Sequence, residues 1–452
     1  MEFISTINTA VNNIVWGPVM LTLLIGAGLF LSLKTKFIQF RKFGYMAKNT
    51  ILSLFSKNQH QKDESGVSPF QAVATAMAGT IGTGSIAGIA TAIVSGGPGA
   101  VFWMWISALL GMVTKYSEIV LSLKYREKNK DGNWVGGPMY YIKNGLNLKW
   151  LAALFAIFAM LACLGTGNAT QSNSIAVALK STLGVNPYIT GIVLTVIAVA
   201  VILGGMRRIA SVNEKLVPFM AVFYVVCSIA AVIVNIQNVP AAFALIFKEA
   251  FNFKAATGGV AGYGIMLAMH YGFSRGIFSN EAGLGSAPIA HAASSTKSPV
   301  QQGLWGMFEV FFTTIIICTL SALVILTTGI WETGSVQGSA LSIASFNAIF
   351  PYAGGIIVTL DTVFFALSTI LGWAYYGEVS IEYLSHNSKI AVRIYRCCYI
   401  VFVFLGAVGN LDLIWSISET MNGLMAIPNL IGIIGLSKVI KTLTTEHFNG
   451  LK

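Results

Sequence analysis

The sequence predicts an all-α polytopic membrane protein with about eleven transmembrane helices. Three observations carry this. Of the 452 residues, 55% are hydrophobic and only 10% charged, whereas soluble domains carry about 25% charge. Mostly apolar runs of about 20 residues, enough to cross a bilayer as a helix, recur along the chain. Lys and Arg gather in alternate connections, as they do on the cytoplasmic side of membrane proteins. The apolar runs are continuous rather than alternating, which excludes a transmembrane barrel.

In order, the segments are roughly 12–33, 68–95, 99–123, 150–178, 187–205, 216–236, 259–290, 303–328, 356–384, 394–409 and 411–437. The start, Met1 to Asn13, is polar. It has neither a basic leader nor a small-residue cleavage site, so the first helix is expected to stay. The last two segments nearly touch, with the turn at Asn410 and Asp412. Twenty-three of the 28 Lys and Arg residues fall after the first, third, fifth, seventh, ninth and last segments. Only Lys180, Lys248 and Lys254 lie on the other side, while Lys115 and Arg275 fall within segments. This places the N-terminus outside and the C-terminus in the cytoplasm of a multi-pass cell-membrane protein. It also accounts for the +11 charge without a nucleic-acid partner. The five cysteines are expected to be free thiols, with Cys397 and Cys398 as small fillers.

Segment two contains Ala78-Gly79-Thr80-Ile81-Gly82-Thr83-Gly84-Ser85. Each glycine weakens a helix by about 1 kcal/mol relative to alanine. Segment seven contains Gly272-Phe273-Ser274-Arg275-Gly276-Ile277-Phe278-Ser279-Asn280-Glu281, with charges at membrane depth. Small residues also serve close helix packing. The two segments are five apart, however, so segments two to six and seven to eleven form equal halves of opposite sense. The units are then 1–67 (first helix and basic loop), 68–240, 241–440 and the tail 441–452. Interrupted helices at matching positions of inverted halves point to a secondary transporter's binding site. Unwound backbone there frees N–H groups for a carboxylate and carbonyls for a cation. This arrangement resembles the leucine-transporter (LeuT-type) fold, a 5+5 inverted repeat, with one extra helix in front. The stretch 329–355 then looks like an outer lid.

The run Gly96-Gly97-Pro98-Gly99-Ala100-Val101-Phe102-Trp103-Met104-Trp105-Ile106-Ser107-Ala108-Leu109-Leu110-Gly111 resembles the signature of the alanine or glycine:cation symporter family. Gly136-Gly137-Pro138-Met139-Tyr140-Tyr141 and Phe278-Ser279-Asn280-Glu281-Ala282-Gly283-Leu284-Gly285-Ser286-Ala287 are similar to that family too. The resemblance runs from about residue 12 to 440. It implies symport of sodium with a small neutral amino acid, alanine or glycine. One position departs from the pattern: Ser85 stands where the family has Asn.

A zwitterion needs donors for its carboxylate and acceptors for its ammonium. Thr75, Gly79, Thr80, Gly82, Thr83 and Gly84 offer backbone and hydroxyl groups from segment two. Phe273, Ser274 and Gly276 offer them from segment seven, with the Phe ring closing the pocket. The threonines can equally bond back into their own helix. Arg275 can meet the carboxylate or gate against Asp361. Asn168 and Gln171, three apart, share a helical face; in the fold resembled, that helix lines the pocket. Interhelical bonding is their alternative role. Ser368 and Thr369 resemble the hydroxyl pair that holds sodium in that fold, with the carbonyls of Ala78 and Ile81 as partners. Trp373, one turn on, is a pocket wall or a core aromatic. Lys115 and Glu118 are expected to form a structural pair. The sequence has no HExxH, GxSxG or Walker A motif, so an enzyme is not expected. A channel, or a proton-coupled carrier using Glu281, Glu309 or Asp361, remains the rival reading.

Overall fold

A computed structural model describes residues 2–50, 66–251, 263–334, 336, 338–409 and 412–450. Lys57, Lys62, Lys254, Asn410 and Lys452 of the sequence reading lie outside these residues. Helices α1 (Glu2–Val15) and α2 (Pro18–Lys34) follow one another as a single apolar span from Ser5 to Lys34. Pro18 restarts the helix at a position where its missing N–H costs nothing. The polar start is thus helical. Its Asn8 and Asn12 side chains donate to Ser416 Oγ (2.7 Å) and Thr420 Oγ1 (2.9 Å). Short helices α3 (Ile38–Arg41) and α4 (Phe43–Asn49) follow.

Helix α5 (Pro69–Thr80) opens on a capping box formed by Ser68 and Gln71. It stops at Thr80; a short 3₁₀ turn at Thr83–Ser85 leads to α6 (Ala87–Gly96). Next come α7 (Ala100–Lys124), a hairpin of β1 (Glu127–Lys128) and β2 (Trp134–Val135), and α8 (Pro138–Leu146). Then α9 (Lys149–Leu164) passes through a π-helical turn, Gly165–Ala169, into α10 (Thr170–Leu183). Helices α11 (Pro187–Ile202), α12 (Gly205–Val234) and α13 (Val239–Ala250) follow.

The chain goes on with α14 (Tyr263–Asn280) and α15 (Ala287–Ala292). It continues through α16 (Pro299–Val310), a π-helical stretch at Phe311–Ile317 and α17 (Cys318–Thr328). Helix α18 (Gly338–Ile349) covers α6, donating from Ser342 Oγ to Ile86 O at 3.4 Å. Helices α19 (Ala353–Leu384), α20 (Lys389–Val408), α21 (Asp412–Leu424), α22 (Ala426–Gly435) and α23 (Ser437–Asn449) complete the chain.

Among the described residues, seven helices are long and apolar enough to cross a membrane, eight if a pair bent by 58° near the C-terminus counts as one. The difference from eleven sits in three places. α11 is a shorter apolar helix, and α5–α6 and α14–α15 are interrupted.

The second interruption lies later than the sequence suggested. Residues 272–280 remain helical, and the chain breaks at 281–286. Gly272 and Gly276 pack instead of breaking the helix. A Cβ on Gly272 would meet Ala100 O at 2.5 Å, and one on Gly276 would meet Ser107 Oγ at 3.0 Å. They let α14 lie close against α7. The real break has Glu281 at φ +55°, Gly283 at +94° and Gly285 at +83°. Its exposed peptide groups are satisfied from outside the helix. Lys115 Nζ caps Asn280 O at 2.7 Å, and Glu118 Oε1 accepts from Gly283 N at 3.0 Å. Lys115 and Glu118 therefore hold the break rather than each other. The cation's carboxylate partner is Glu309, at 3.2 Å.

Candidate substrate and cation site

The two breaks meet at mid-molecule around a narrow cleft of about 20 Å³, room for a single water. The first break contributes Gly79, Thr80, Gly82 and Gly84. The π-helical turn and α10 contribute Thr166 and Gln171, the end of α14 contributes Phe278, and the second break contributes Glu281. Thr369 and Trp373 come from α19, and Asn422 from α21.

Helix α19 reaches the first break because Gly372 allows it. A Cβ there would sit 3.1 Å from Gly79 N and from Thr75 O. Trp373, buried, then donates Nε1–H to Gly79 O at 3.3 Å. Ser368 and Thr369 direct their hydroxyls at Ala78 O, at 3.4 and 3.0 Å. Both also reach Phe365 O of their own helix, at 2.9 and 2.8 Å. Ile81, the C-cap residue of α5, is buried. Hard oxygens from α19 and the last turn of α5 form a donor set suited to a small hard cation.

The threonines divide. Thr83 donates to Gln171 Oε1 at 3.1 Å, tying the break to α10, while Gln171 Nε2 donates to Thr166 O at 3.0 Å. Thr75 bonds back to Gln71 O at 2.9 Å and does not line the cleft. Thr80 lines the cleft but gives its proton to Glu309 Oε1 at 2.9 Å. Asn168 turns away, donating to Tyr399 O of α20 at 2.7 Å. Phe273 lies against Trp103, Leu24 and Ser107 instead of the cleft; Phe278, five residues on, supplies the aromatic wall. Ser274, Arg275 and Gly276 do not line it either. The Arg275 guanidinium lies 5.9 Å from the centre of the Phe278 ring and joins none of the five ion pairs among the described residues. Asp361 is buried two turns from Ser368 and makes no bond to Arg275.

A family model described as the sodium:alanine symporter family matches residues 1–452. The chain belongs to the sodium:alanine symporter family. The sodium/alanine symporter AgcS of Methanococcus maripaludis is 47% identical over 459 residues, spanning 100% of this chain and 98% of that one. A transporter of unassigned substrate from Haemophilus influenzae is also 47% identical, over 99% of this chain and 97% of its own. Among solved structures, the manganese transporter of Eremococcus coleocola aligns with a TM-score of 0.51 and 14% identity, over 83% of this chain and 85% of that one. At that identity the likeness is one of fold.

As a member of this family, the chain is a membrane transporter and not an enzyme. At Ser85, where the sequence departs from the family pattern, the hydroxyl lies 3.3 Å from Ser279 Oγ of α14. It is used between the two broken helices and does not line the cleft. Sequence reasoning missed Asn422 altogether; a lone Asn in the eleventh segment gives no periodic signal. All five cysteines are free, and Cys397 and Cys398 lie exposed on the surface of α20. No cluster of metal-binding His, Cys, Asp and Glu occurs among the described residues.

A larger cavity of about 360 Å³ opens between the β1–β2 hairpin and the start of α20. Val67 and Ala293 on its wall belong to a backbone joint. Val67 N donates to Ala293 O (3.0 Å), and Ser295 N donates to Val67 O (2.8 Å), joining the entrance to α5 with the exit from α15. Arg126 clamps this joint through Ser294 O and Thr296 O, at 2.5 and 2.8 Å.

Proposed function

We propose that this protein imports a small neutral amino acid, alanine or glycine, together with sodium by alternating access. The observation that carries the reading is the meeting of the Ser368 and Thr369 hydroxyls with the Ala78 carbonyl, directly beside a cleft walled by unwound backbone. Sodium would sit among Ser368, Thr369 and the carbonyls of Ala78 and Ile81. The substrate's carboxylate would meet free N–H groups of Gly82, Thr83 and Gly84, and its side chain would face Trp373, Phe278 and Gln171. The relative AgcS is named for sodium and alanine, which agrees with this assignment.

In this reading the eleven segments all cross the cell membrane, with the N-terminus outside. Segments two to six and seven to eleven form inverted repeats of the LeuT type, α5–α6 and α14–α15 being the equivalent broken helices. The deciding experiment is alanine uptake into proteoliposomes with and without an inward sodium gradient. Uptake indifferent to sodium would reject the proposal.

A proton-coupled carrier has one observation in its favour. Glu281, a buried carboxyl, lines the cleft itself. A proton gradient alone, imposed without sodium, separates the two. Accumulation under that condition would favour Glu281 as the coupling group.

A further inference from the structure

We propose that a basic cleft between the end of α2 and α23 holds the phosphate headgroup of an anionic phospholipid. The cavity, about 280 Å³, is remote from the substrate cleft and shares no residue with it. Five cations line it: Lys34, Lys36, Arg41, Lys42 and Lys441. Among the described residues, no carboxylate lines it and none of the five ion pairs uses these side chains. Like charges gathered in one concavity repel one another, and an anion that enters it relieves that repulsion.

Backbone conformation gives a second, independent observation. Lys36 and Phe37 adopt φ of +55° and +52°, a left-handed conformation that bulky L-residues rarely hold. Such strain is kept where the surroundings or a ligand require the conformation. Here the turn folds the chain back, with Phe37 N donating to Ser32 O at 2.6 Å. As a result, residues before and after it line one cleft.

The neighbourhood favours a lipid over a soluble anion. The cleft lies at the end of the apolar span Ser5–Lys34. Leu33, Phe37 and Phe40 stand exposed beside it, at 59%, 39% and 55%. Apolar groups at the edge of a membrane span belong among acyl chains, and cations just beyond them belong at headgroup level. A lipid phosphate in the cleft would keep its own chains against these three residues. On the far wall, Lys42 Nζ lies 4.5 Å from the Phe448 ring centre. Thr444 there is hydrogen-bonded to Tyr116 of α7 at 2.7 Å. The headgroup would thus join α2, near the start of the chain, to α23, near its end.

The test is lipid retention by the full-length protein. Purified protein is mixed with equal amounts of phosphatidylglycerol and phosphatidylethanolamine, and the bound lipid is counted by native mass spectrometry. We expect selective retention of phosphatidylglycerol. The variant Lys36→Gln/Arg41→Gln/Lys42→Gln should weaken it on the order of a hundredfold, at about tenfold or less per cation. A control with three exposed lysines removed elsewhere, Lys128→Gln/Lys215→Gln/Lys297→Gln, should retain it. Equal retention of the two lipids would overturn the proposal. So would an equal loss in the control, which would mark general surface attraction. Displacement of phosphatidylglycerol by an equal concentration of inorganic phosphate would assign the cleft to a soluble anion instead.

Discussion

Removing two hydroxyls with Ser368→Ala/Thr369→Val tests the cation site directly. Each hydroxyl has one proton and two carbonyls within reach. Phe365 O lies at 2.9 and 2.8 Å, and Ala78 O at 3.4 and 3.0 Å. With the protons turned to Phe365 O, the lone pairs face Ala78 O across a gap that a cation can share. Hydrogen bonds to charged groups contribute about 1.5–3 kcal/mol each. Water can replace one of the two lost oxygens, so the net loss is about that of a single such contact. Half-saturating sodium should therefore rise about ten- to a hundredfold. Thr369→Ser keeps the oxygen and should stay near the unmodified protein. The assay is alanine uptake in proteoliposomes over a sodium titration, with the melting temperature measured in parallel. A double variant with unchanged melting and unchanged sodium dependence would refute the cation site and leave the pair as helix packing.

Trp373→Ala removes an indole from the cleft wall while leaving the backbone of the first break. Leucine should then gain on alanine in competition binding by roughly tenfold; an unchanged preference would place the size filter elsewhere. Gly79→Val should abolish alanine binding, because its Cβ would lie 2.8 Å from the Tyr376 hydroxyl at the break; binding that survives would show this backbone is not part of the site. A reporter active only in the cytoplasm should work when fused after Lys452 and fail before Met1, and the reverse result would overturn the orientation and the odd number of crossings.

The first break was legible because glycine and hydroxyl residues crowd one helix with nothing else to explain them. The second was not, and the reason is chemical. Gly272 and Gly276 are the same residue type in the same kind of helix, yet they serve packing against Ala100, Trp103 and Ser107. Which partner a glycine meets is tertiary information. Gly283 and Gly285, whose positive φ makes the true break, stood within the family motif without any periodic signal. The same limit explains Asn168. Three residues separate it from Gln171, which puts both on one face of an α-helix. A π-helical turn covers Gly165–Ala169, and the wider winding sends Asn168 toward Tyr399 while Gln171 reaches Thr83. The Ser368 and Thr369 hydroxyls of segment nine, by contrast, do reach the Ala78 carbonyl of segment two, a contact that the fold resemblance implied.

Glu309 ties the two breaks into one unit. Its Oε1 accepts from Thr80, the last residue of α5, and pairs with Lys115, which caps the last residue of α14. Its Oε2 lies 3.2 Å from His291 Nε2 of α15. A buried ion pair is weak evidence for stability, because desolvation consumes most of what the attraction supplies. Its use here is better sought in geometry. Under the proposed alternating access, the two interrupted helices share one carboxylate, so neither would move without changing the other's partner. Glu309→Gln keeps an acceptor for Thr80 and removes the charge opposite Lys115. If the carboxylate couples the breaks, the half-saturating concentrations of sodium and alanine should shift together, since the ligand at the first break reads the state of the second. A variant that melts earlier but keeps both concentrations unchanged would reduce Glu309 to a structural ion pair.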